Sequence, residues 1–65
     1  MYKNRIKETR KEQGLTLMEI AKTTGISVGY ICHLEKGTRR NPSAQVMERI
    51  ALALNKNVYE IFFVE

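Results

Sequence analysis

Cys32 and His33 are the residue types best suited to metal binding or nucleophilic catalysis, and the sequence contains one of each. Adjacent side chains on a helix diverge by about 100°, so this pair makes a poor metal site or catalytic pair. All seven acidic residues are Glu, and no Cys, His and carboxylate cluster has ligand spacing. No glycine-rich phosphate loop follows a strand either. We therefore expect no enzyme activity, no cofactor and no metal ion.

The basic side chains are unevenly distributed along the 65 residues. Residues 1–40 carry nine Lys or Arg against four Glu, a net charge of +5, whereas residues 41–65 carry two against three, a net charge of −1. Such an asymmetry is typical of a surface that faces a polyanion, although a solvated basic surface has the same composition. A lone thiol, and no apolar run near the roughly 18 residues of a membrane span, predict a single cytoplasmic domain over residues 1–65.

Local signals divide the chain into five short helices and no sheet, which predicts an all-α fold. Thr16 with Glu19 three residues later has the pattern of a capping box. Glycines stand at the ends of the first three predicted helices: Gly14, Gly25 and Gly37. Capping residues stand at the starts of the last three: Ser27, Ser43 and Asn57. The predicted helices cover residues 2–13, 17–23, 28–36, 44–54 and 58–63.

The helix predicted over residues 28–36 has two different sides when about 100° separates successive residues. Its apolar side holds Ile31 and Leu34. The opposite side is small and polar, with Gly29, Cys32 and Lys36 at its centre and Val28 and His33 beside them. A helix that packs on a protein core with one side and enters a groove of a ligand with the other requires one apolar side and one small, polar side.

The spacing of these signals over most of the chain resembles that of a known family. The matching residues are Ile6, Arg10, Gly14–Thr16, Glu19–Ala21, Thr24–Ser27, Tyr30–Ile31, Leu34–Gly37, Asn41–Ser43, Ile50–Ala51, Ala53–Leu54 and Ile61–Phe62. Together they resemble the Cro/repressor-type helix-turn-helix domains, also called the XRE family. The resemblance implies a compact five-helix bundle of the lambda-repressor-like type, with the helix-turn-helix at residues 16–36. Its second helix, 28–36, would enter the major groove, which is about 12 Å wide.

The resemblance also implies which residues contact DNA. Base edges would be read from the start of the second helix, by Ser27, Val28, Gly29, Cys32 and His33. Phosphates would be bound by side chains and backbone around that helix, namely Thr16, Tyr30, Lys36, Arg39, Arg40 and Asn41. Phosphate contacts bind and orient a protein without carrying sequence information.

Several positions depart from the family pattern. Val28 offers only apolar contact, for instance to a thymine methyl, and Gly29 offers only close approach. His33 could donate to N7 or O6 of guanine. Leu17 stands where the family often has a phosphate-binding Gln, and Thr9 stands where it often has a core Leu.

Plainer roles stay open for several of these side chains. His33 could be a solvated surface histidine, and Cys32 could be no more than a small residue. Lys36 suits the negative end of its helix whether or not it binds a phosphate. The ring of Tyr30 could simply cover the edge of the core.

Two further expectations concern structure and assembly. The resemblance implies a structural ion pair between Arg10 and Glu35. Within the C-terminal segment, residues 58–65, Ile61 and Phe62 should enter the core. Three other apolar residues of the segment would form a dimer interface: Tyr59, Phe63 and Val64. Isolated apolar residues on a surface are also common.

The predicted function is that of a sequence-specific double-stranded DNA-binding regulator, a repressor that binds a two-fold symmetric operator as a homodimer. It would be bacterial or phage-encoded and associated with the nucleoid when bound, without a membrane or small-molecule partner. The alternative is a protein-interaction module of the same fold, antitoxin-like or an adaptor, because Val28 and Gly29 are weak base readers and the tail is apolar. A basic membrane-surface peptide fits less well, since capped short helices favour a globular fold.

Overall fold

The computed structural model describes residues 4–39 and 41–63. Within these ranges the chain forms five α-helices and no strand, which confirms the all-α prediction. The helices are α1 (Ile6–Glu12), α2 (Leu17–Thr24), α3 (Val28–Lys36), α4 (Ala44–Ala53) and α5 (Val58–Phe62). None of these helices is long and apolar enough to span a bilayer. Apart from the start of α1, every predicted helix boundary agrees within one residue.

The predicted start of the first helix was wrong, because α1 begins at Ile6 and not before Asn4. The Oδ1 atom of Asn4 accepts a hydrogen bond from the backbone N–H of Ile6 at 3.0 Å, while its Nδ2 donates to the carbonyl of Leu34 at 2.8 Å. The N–H of Arg5 donates to the carbonyl of Ile61 at 2.8 Å. The two long-range bonds, to the carbonyls of Leu34 and Ile61, hold residues 4 and 5 in a non-helical conformation. Residues 1–3, including Tyr2 and Lys3 of the predicted helix, lie outside the described residues.

Side-chain caps start the other four helices at the positions predicted. At α2, Thr16 Oγ1 accepts from the N–H of Glu19 at 3.0 Å, and Glu19 Oε1 accepts from the N–H of Thr16 at 2.8 Å, which completes the capping box. Asn57 and Glu60 form a second complete box at α5, with both distances 2.9 Å. Single caps start α3 and α4: Ser27 and Ser43. The caps satisfy N–H groups that a helix start otherwise leaves without partners.

One apolar cluster draws on all five helices. Its members are Ile6, Ile20, Ile31, Leu34, Ile50, Ala51, Leu54, Ile61 and Phe62. Leu15 and Ile26, the residues before the caps of α2 and α3, pack against it. Burial of an Ile or Leu side chain contributes about 1.5–3 kcal/mol, so Ile31 and Leu34 hold α3 firmly against the other helices.

Candidate nucleic-acid interface

The two sides of α3 are oriented as its sequence predicted. Ile31 and Leu34 are fully buried, whereas Gly29 and His33 are exposed. Val28 is 38% exposed beside them. Cys32, which was placed with the exposed side, is only half-buried and lies at its margin. The exposed side of α3 is therefore available to a ligand while the helix itself is anchored. Across the residues that the structure describes, no three His, Cys, Asp or Glu side chains converge as metal ligands would.

The first turn of α3 presents a small and open surface. A Cβ atom built on Gly29 would meet no atom within 4 Å, so the space over this residue is empty. Ser27 is exposed, and its Oγ accepts from the N–H of Tyr30 at 3.2 Å, which leaves the hydroxyl hydrogen free to be donated. With Val28 next to it, this turn offers a close backbone approach, an apolar contact and one hydroxyl donor.

The structure brings Tyr30 and Arg39 together. The guanidinium carbon of Arg39 lies 5.8 Å from the centroid of the Tyr30 ring, within the range of a cation–π contact. This contact holds the exposed Arg39 beside the half-buried Tyr30 at the edge of α3. Lys36 and Asn41 are exposed as well, so they are accessible to an anion. Arg40 lies outside the described residues.

Thr16 has the weakest geometry among the predicted phosphate ligands. It is exposed, but its N–H donates to the carboxylate of Glu19. That carboxylate places a negative charge at the start of α2, which opposes the approach of a phosphate. Leu17, where the family often has a phosphate-binding Gln, is half-buried against the core and carries no polar atom on its side chain.

Arg10 and Glu35 form the ion pair that the resemblance implied. The Nε atom of Arg10 lies 2.7 Å from Oε2 of Glu35, and the two side chains are 13% and 6% exposed. The Nη1 atom of Arg10 also donates to the carbonyl of Leu15 at 3.0 Å. This pair ties α1, the loop before α2 and the last turn of α3 together, so it fixes α3 without facing a ligand.

Two residues that position α3 were missed by the sequence analysis. Asn4 donates to the carbonyl of Leu34 near the end of α3, and Thr38 lies with its Oγ1 atom 2.9 Å from Nδ1 of His33. No local signal identifies the bond of Asn4, because its partner is 30 residues away. Thr38 directly follows the left-handed Gly37, and that position was the available signal, since such a glycine turns the chain back over the helix.

The C-terminal segment leaves an apolar surface on the molecule. Ile61 and Phe62 are buried as predicted. Tyr59 is 74% exposed and Phe63 is 59% exposed, and their ring centroids lie 5.2 Å apart. Both rings line a shallow groove together with Met47 of α4. Val64 of the predicted interface lies outside the described residues. Thr9, at the position where the family often has Leu, is buried at 3% exposure.

The chain is similar to known proteins over most of its length. Residues 6–61 match the model of the helix-turn-helix family. The transcriptional regulator SinR of Bacillus subtilis (strain 168) is 34% identical over 61 residues, which are 94% of this chain and 55% of SinR. The chain thus spans about half the length of that relative.

Two solved structures have a similar fold. The restriction-modification controller protein C.AhdI from Aeromonas hydrophila superimposes with a TM-score of 0.81 at 30% identity, over 86% of this chain and 83% of that one. SinR in complex with DNA gives a TM-score of 0.80 at 36% identity, over 85% of this chain and 87% of that one. With five helices among the described residues, with α3 held by its buried side, and with these matches, the chain belongs to the helix-turn-helix family, as its sequence indicated.

Proposed function

We propose that this chain is the sequence-specific double-stranded DNA-binding part of a transcriptional regulator, and that α3 enters the major groove. The observation that carries the proposal is the orientation of α3. Its Ile31 and Leu34 are fully buried, while the side with Gly29 and His33 is exposed and open. The major groove admits an α-helix, and base edges there distinguish all four base pairs. SinR, which is similar over 94% of this chain, is a transcriptional regulator and has been solved in complex with DNA.

The proposed base contacts follow from the chemistry of the exposed turn. Val28 supplies an apolar contact to a thymine methyl, and Gly29 lets the helix backbone approach the base edges closely. His33 supplies a ring nitrogen as a hydrogen-bonding group. Ser27 adds a hydroxyl donor at the start of the helix. Cys32 is half-buried, so we assign it a contact at the margin of the surface.

Cations beside α3 would bind the phosphates on either side of the groove. Arg39, held on the Tyr30 ring, and Lys36 at the end of α3 supply two of these charges. Asn41 is exposed and supplies a polar side chain, whereas Arg40 stays a prediction from the sequence. The net charge of +5 over residues 1–40 favours a polyanion at this end of the chain. Thr16 is the least favoured ligand because of the neighbouring Glu19 carboxylate.

We also propose that the chain acts as a homodimer through Tyr59 and Phe63. Two exposed aromatic rings beside the groove at Met47 form a contiguous apolar surface. A two-fold axis through this surface would pair each ring with its equivalent and set the two α3 helices about 34 Å apart, one turn of DNA. Val64 lies outside the described residues, and its place in this interface stays a prediction from the sequence. Such a dimer bound at a promoter excludes polymerase by occupancy, which is repression.

The test of DNA binding is selection of bound duplexes from a random pool, followed by affinity measurements on the selected site. His33→Ala should change which base pair is preferred at one position in each half-site. Arg39→Gln should weaken binding about equally for all sequences. Lys7→Gln removes an exposed charge on α1 and is the matched control, which should bind like the wild type. If the pool yields no preferred sequence, the proposed function is wrong.

The test of dimerisation is sedimentation of two apolar-to-lysine variants. Phe63→Lys should give a monomer and lose cooperative binding to the two half-sites. Leu52 is 80% exposed on α4, so Leu52→Lys is a control for the added charge and should remain a dimer. A dimer that survives Phe63→Lys would place the interface elsewhere.

The protein-interaction alternative rests on the same apolar surface, with Tyr59 and Phe63 bound by another protein. Salt separates the two functions, because binding that neutralises phosphates weakens steeply between about 50 and 200 mM salt. An apolar protein interface changes little over that range.

A further inference from the structure

We propose that Thr38 is a specificity-determining residue, because it fixes the neutral ring of His33 with the proton on Nδ1 and leaves Nε2 as a hydrogen-bond acceptor. His33 would then read the exocyclic amine of an adenine or a cytosine, and not the acceptor atoms of a guanine. This inference rests on the proposed function and names the chemistry of one of its base contacts.

The contact is built by the end of α3. Gly37 has a φ of 80°, and this left-handed conformation turns the chain back over the last turn of the helix. The N–H of Thr38 consequently donates to the carbonyl of His33 at 3.0 Å. The hydroxyl of Thr38 is thereby held 2.9 Å from Nδ1 of His33 and 3.1 Å from the carbonyl oxygen of the same residue.

The distances from the Thr38 hydroxyl to Nδ1 and to the carbonyl oxygen of His33 favour one arrangement of the hydroxyl and ring protons. The carbonyl oxygen of His33 can only accept, and it also accepts from the N–H groups of Gly37, Thr38 and Arg39. If the Thr38 hydroxyl donates to this oxygen, Nδ1–H of the ring donates to Oγ1, and both short contacts are hydrogen bonds. If the hydroxyl donates to Nδ1 instead, its contact with the carbonyl oxygen at 3.1 Å carries no hydrogen bond. The first arrangement makes two hydrogen bonds where the second makes one, which favours the proton on Nδ1.

The assignment decides what the exposed edge of the ring can recognise. In a neutral imidazole one nitrogen donates and the other accepts, so a proton on Nδ1 leaves Nε2 as an acceptor. In the major groove the hydrogen-bond donors are N6 of adenine and N4 of cytosine, whereas guanine presents acceptors at N7 and O6. Donation to guanine, which the sequence suggested for His33, would require the doubly protonated ring.

Nitrogen NMR of the free protein tests the tautomer directly. His33 is the single histidine of the sequence, so the imidazole signals need no assignment by mutation. At about pH 8, where imidazole is ordinarily neutral, the wild type should show a protonated Nδ1 and an unprotonated Nε2. Thr38→Val keeps the shape of the side chain without its hydroxyl and should move the proton toward Nε2. Thr38→Ser keeps the hydroxyl and should restore the wild-type shifts.

Selection from random DNA at the same pH tests the recognition. The base pair concerned is the one whose preference is lost in His33→Ala. There the wild type and Thr38→Ser should select adenine or cytosine, and Thr38→Val should lose about fivefold to tenfold of that preference, the worth of one hydrogen bond. A merely structural role for Thr38 would lower stability without changing the base that is selected.

Failure of the proposed function and failure of the inference about Thr38 give different results in these experiments. A wild-type protein that selects no sequence refutes the proposed function and the reading role of His33, while the NMR shifts still decide the tautomer. Selection of guanine at the His33 position by the neutral wild type overturns the inference. Nitrogen shifts that are the same in the wild type and in Thr38→Val overturn it as well.

Discussion

At the scale of single residues, Gly29 is a position where a substitution should raise the stability of the fold but weaken the proposed DNA binding. A glycine inside a helix costs up to about 1 kcal/mol relative to alanine, and the space over Gly29 is empty in the free protein. We predict that Gly29→Ala raises the free energy of unfolding by up to about 1 kcal/mol. The added methyl should lower DNA affinity about tenfold if α3 sits in the groove, since it occupies the closest approach. Urea denaturation and fluorescence anisotropy measure the two effects.

Thr23→Ala is the control for Gly29→Ala, because it replaces another exposed helical residue by alanine. Thr23 lies at the end of α2 and lines a shallow pocket with Arg49 and Leu52 of α4. This variant should leave DNA affinity unchanged. Equal DNA affinity for wild type and Gly29→Ala would mean that this turn does not approach the bases.

Unlike Gly29, the ion pair between Arg10 and Glu35 is expected to affect the stability of the fold and to make no contact with DNA. Both side chains are largely buried, so removal of one partner leaves an uncompensated charge that costs about 3–5 kcal/mol. We predict that Arg10→Met and Glu35→Leu each unfold at far lower urea concentration than the wild type. The double variant should recover much of the loss, since it buries no charge. Additive losses in the double variant would contradict this account of the pair.

At the scale of elements, the start of α3 combines a helix cap with a proposed DNA contact. We predict that Ser27→Ala lowers the free energy of unfolding by about 1 kcal/mol, because the N–H of Tyr30 loses its acceptor. Ser27→Asp keeps a capping oxygen and should retain stability, yet it places a negative charge at the proposed contact with the polyanionic duplex and should abolish DNA binding. Thermal denaturation and anisotropy separate the two variants.

Asn57→Asp is the matched control for Ser27→Asp. It adds the same charge at another helix cap, that of α5, where Asn57 Oδ1 accepts from the N–H of Glu60. Asn57 also lines the groove of the proposed dimer surface, so sedimentation must first show that this variant is still a dimer. It should then bind DNA nearly as well as the wild type. If both aspartate variants lose binding equally, net charge and not the position of α3 accounts for the effect.

At the scale of the whole molecule, DNA binding should depend steeply on salt, because each protomer of the proposed dimer would contribute its own cations. Each phosphate neutralised adds about 0.9 to the negative slope of log K against log salt. Arg39→Gln should therefore reduce the magnitude of that slope by about 2, one for each protomer. A titration of anisotropy against salt measures it, with Lys7→Gln as the control of unchanged slope. A reduction by only about 1 would indicate one bound protomer per site.

Most of the fold was predictable because its signals are local. The Thr16–Glu19 capping box and the left-handed glycine at Gly37 each involve residues at most five apart, and both were found where the sequence placed them. The start of α1 was predictable only in part, because the bond from the N–H of Ile6 to Asn4 is local but the others are not. Asn4 bonds to Leu34, and Arg5 bonds to Ile61, so the partners that hold these residues out of a helix are distant in the sequence.

The sequence by itself determined the number of helices, their caps, and which side of α3 is apolar, since these depend on residue spacing along one helix. Only the tertiary structure decided what each exposed side chain can offer a ligand. The hydroxyl of Thr38 beside His33 and the ring of Tyr30 under Arg39 depend on how the chain turns after Gly37. The physical reason is that hydrogen-bond geometry and ring contacts are set by ångström-scale distances across a turn, which residue spacing does not specify.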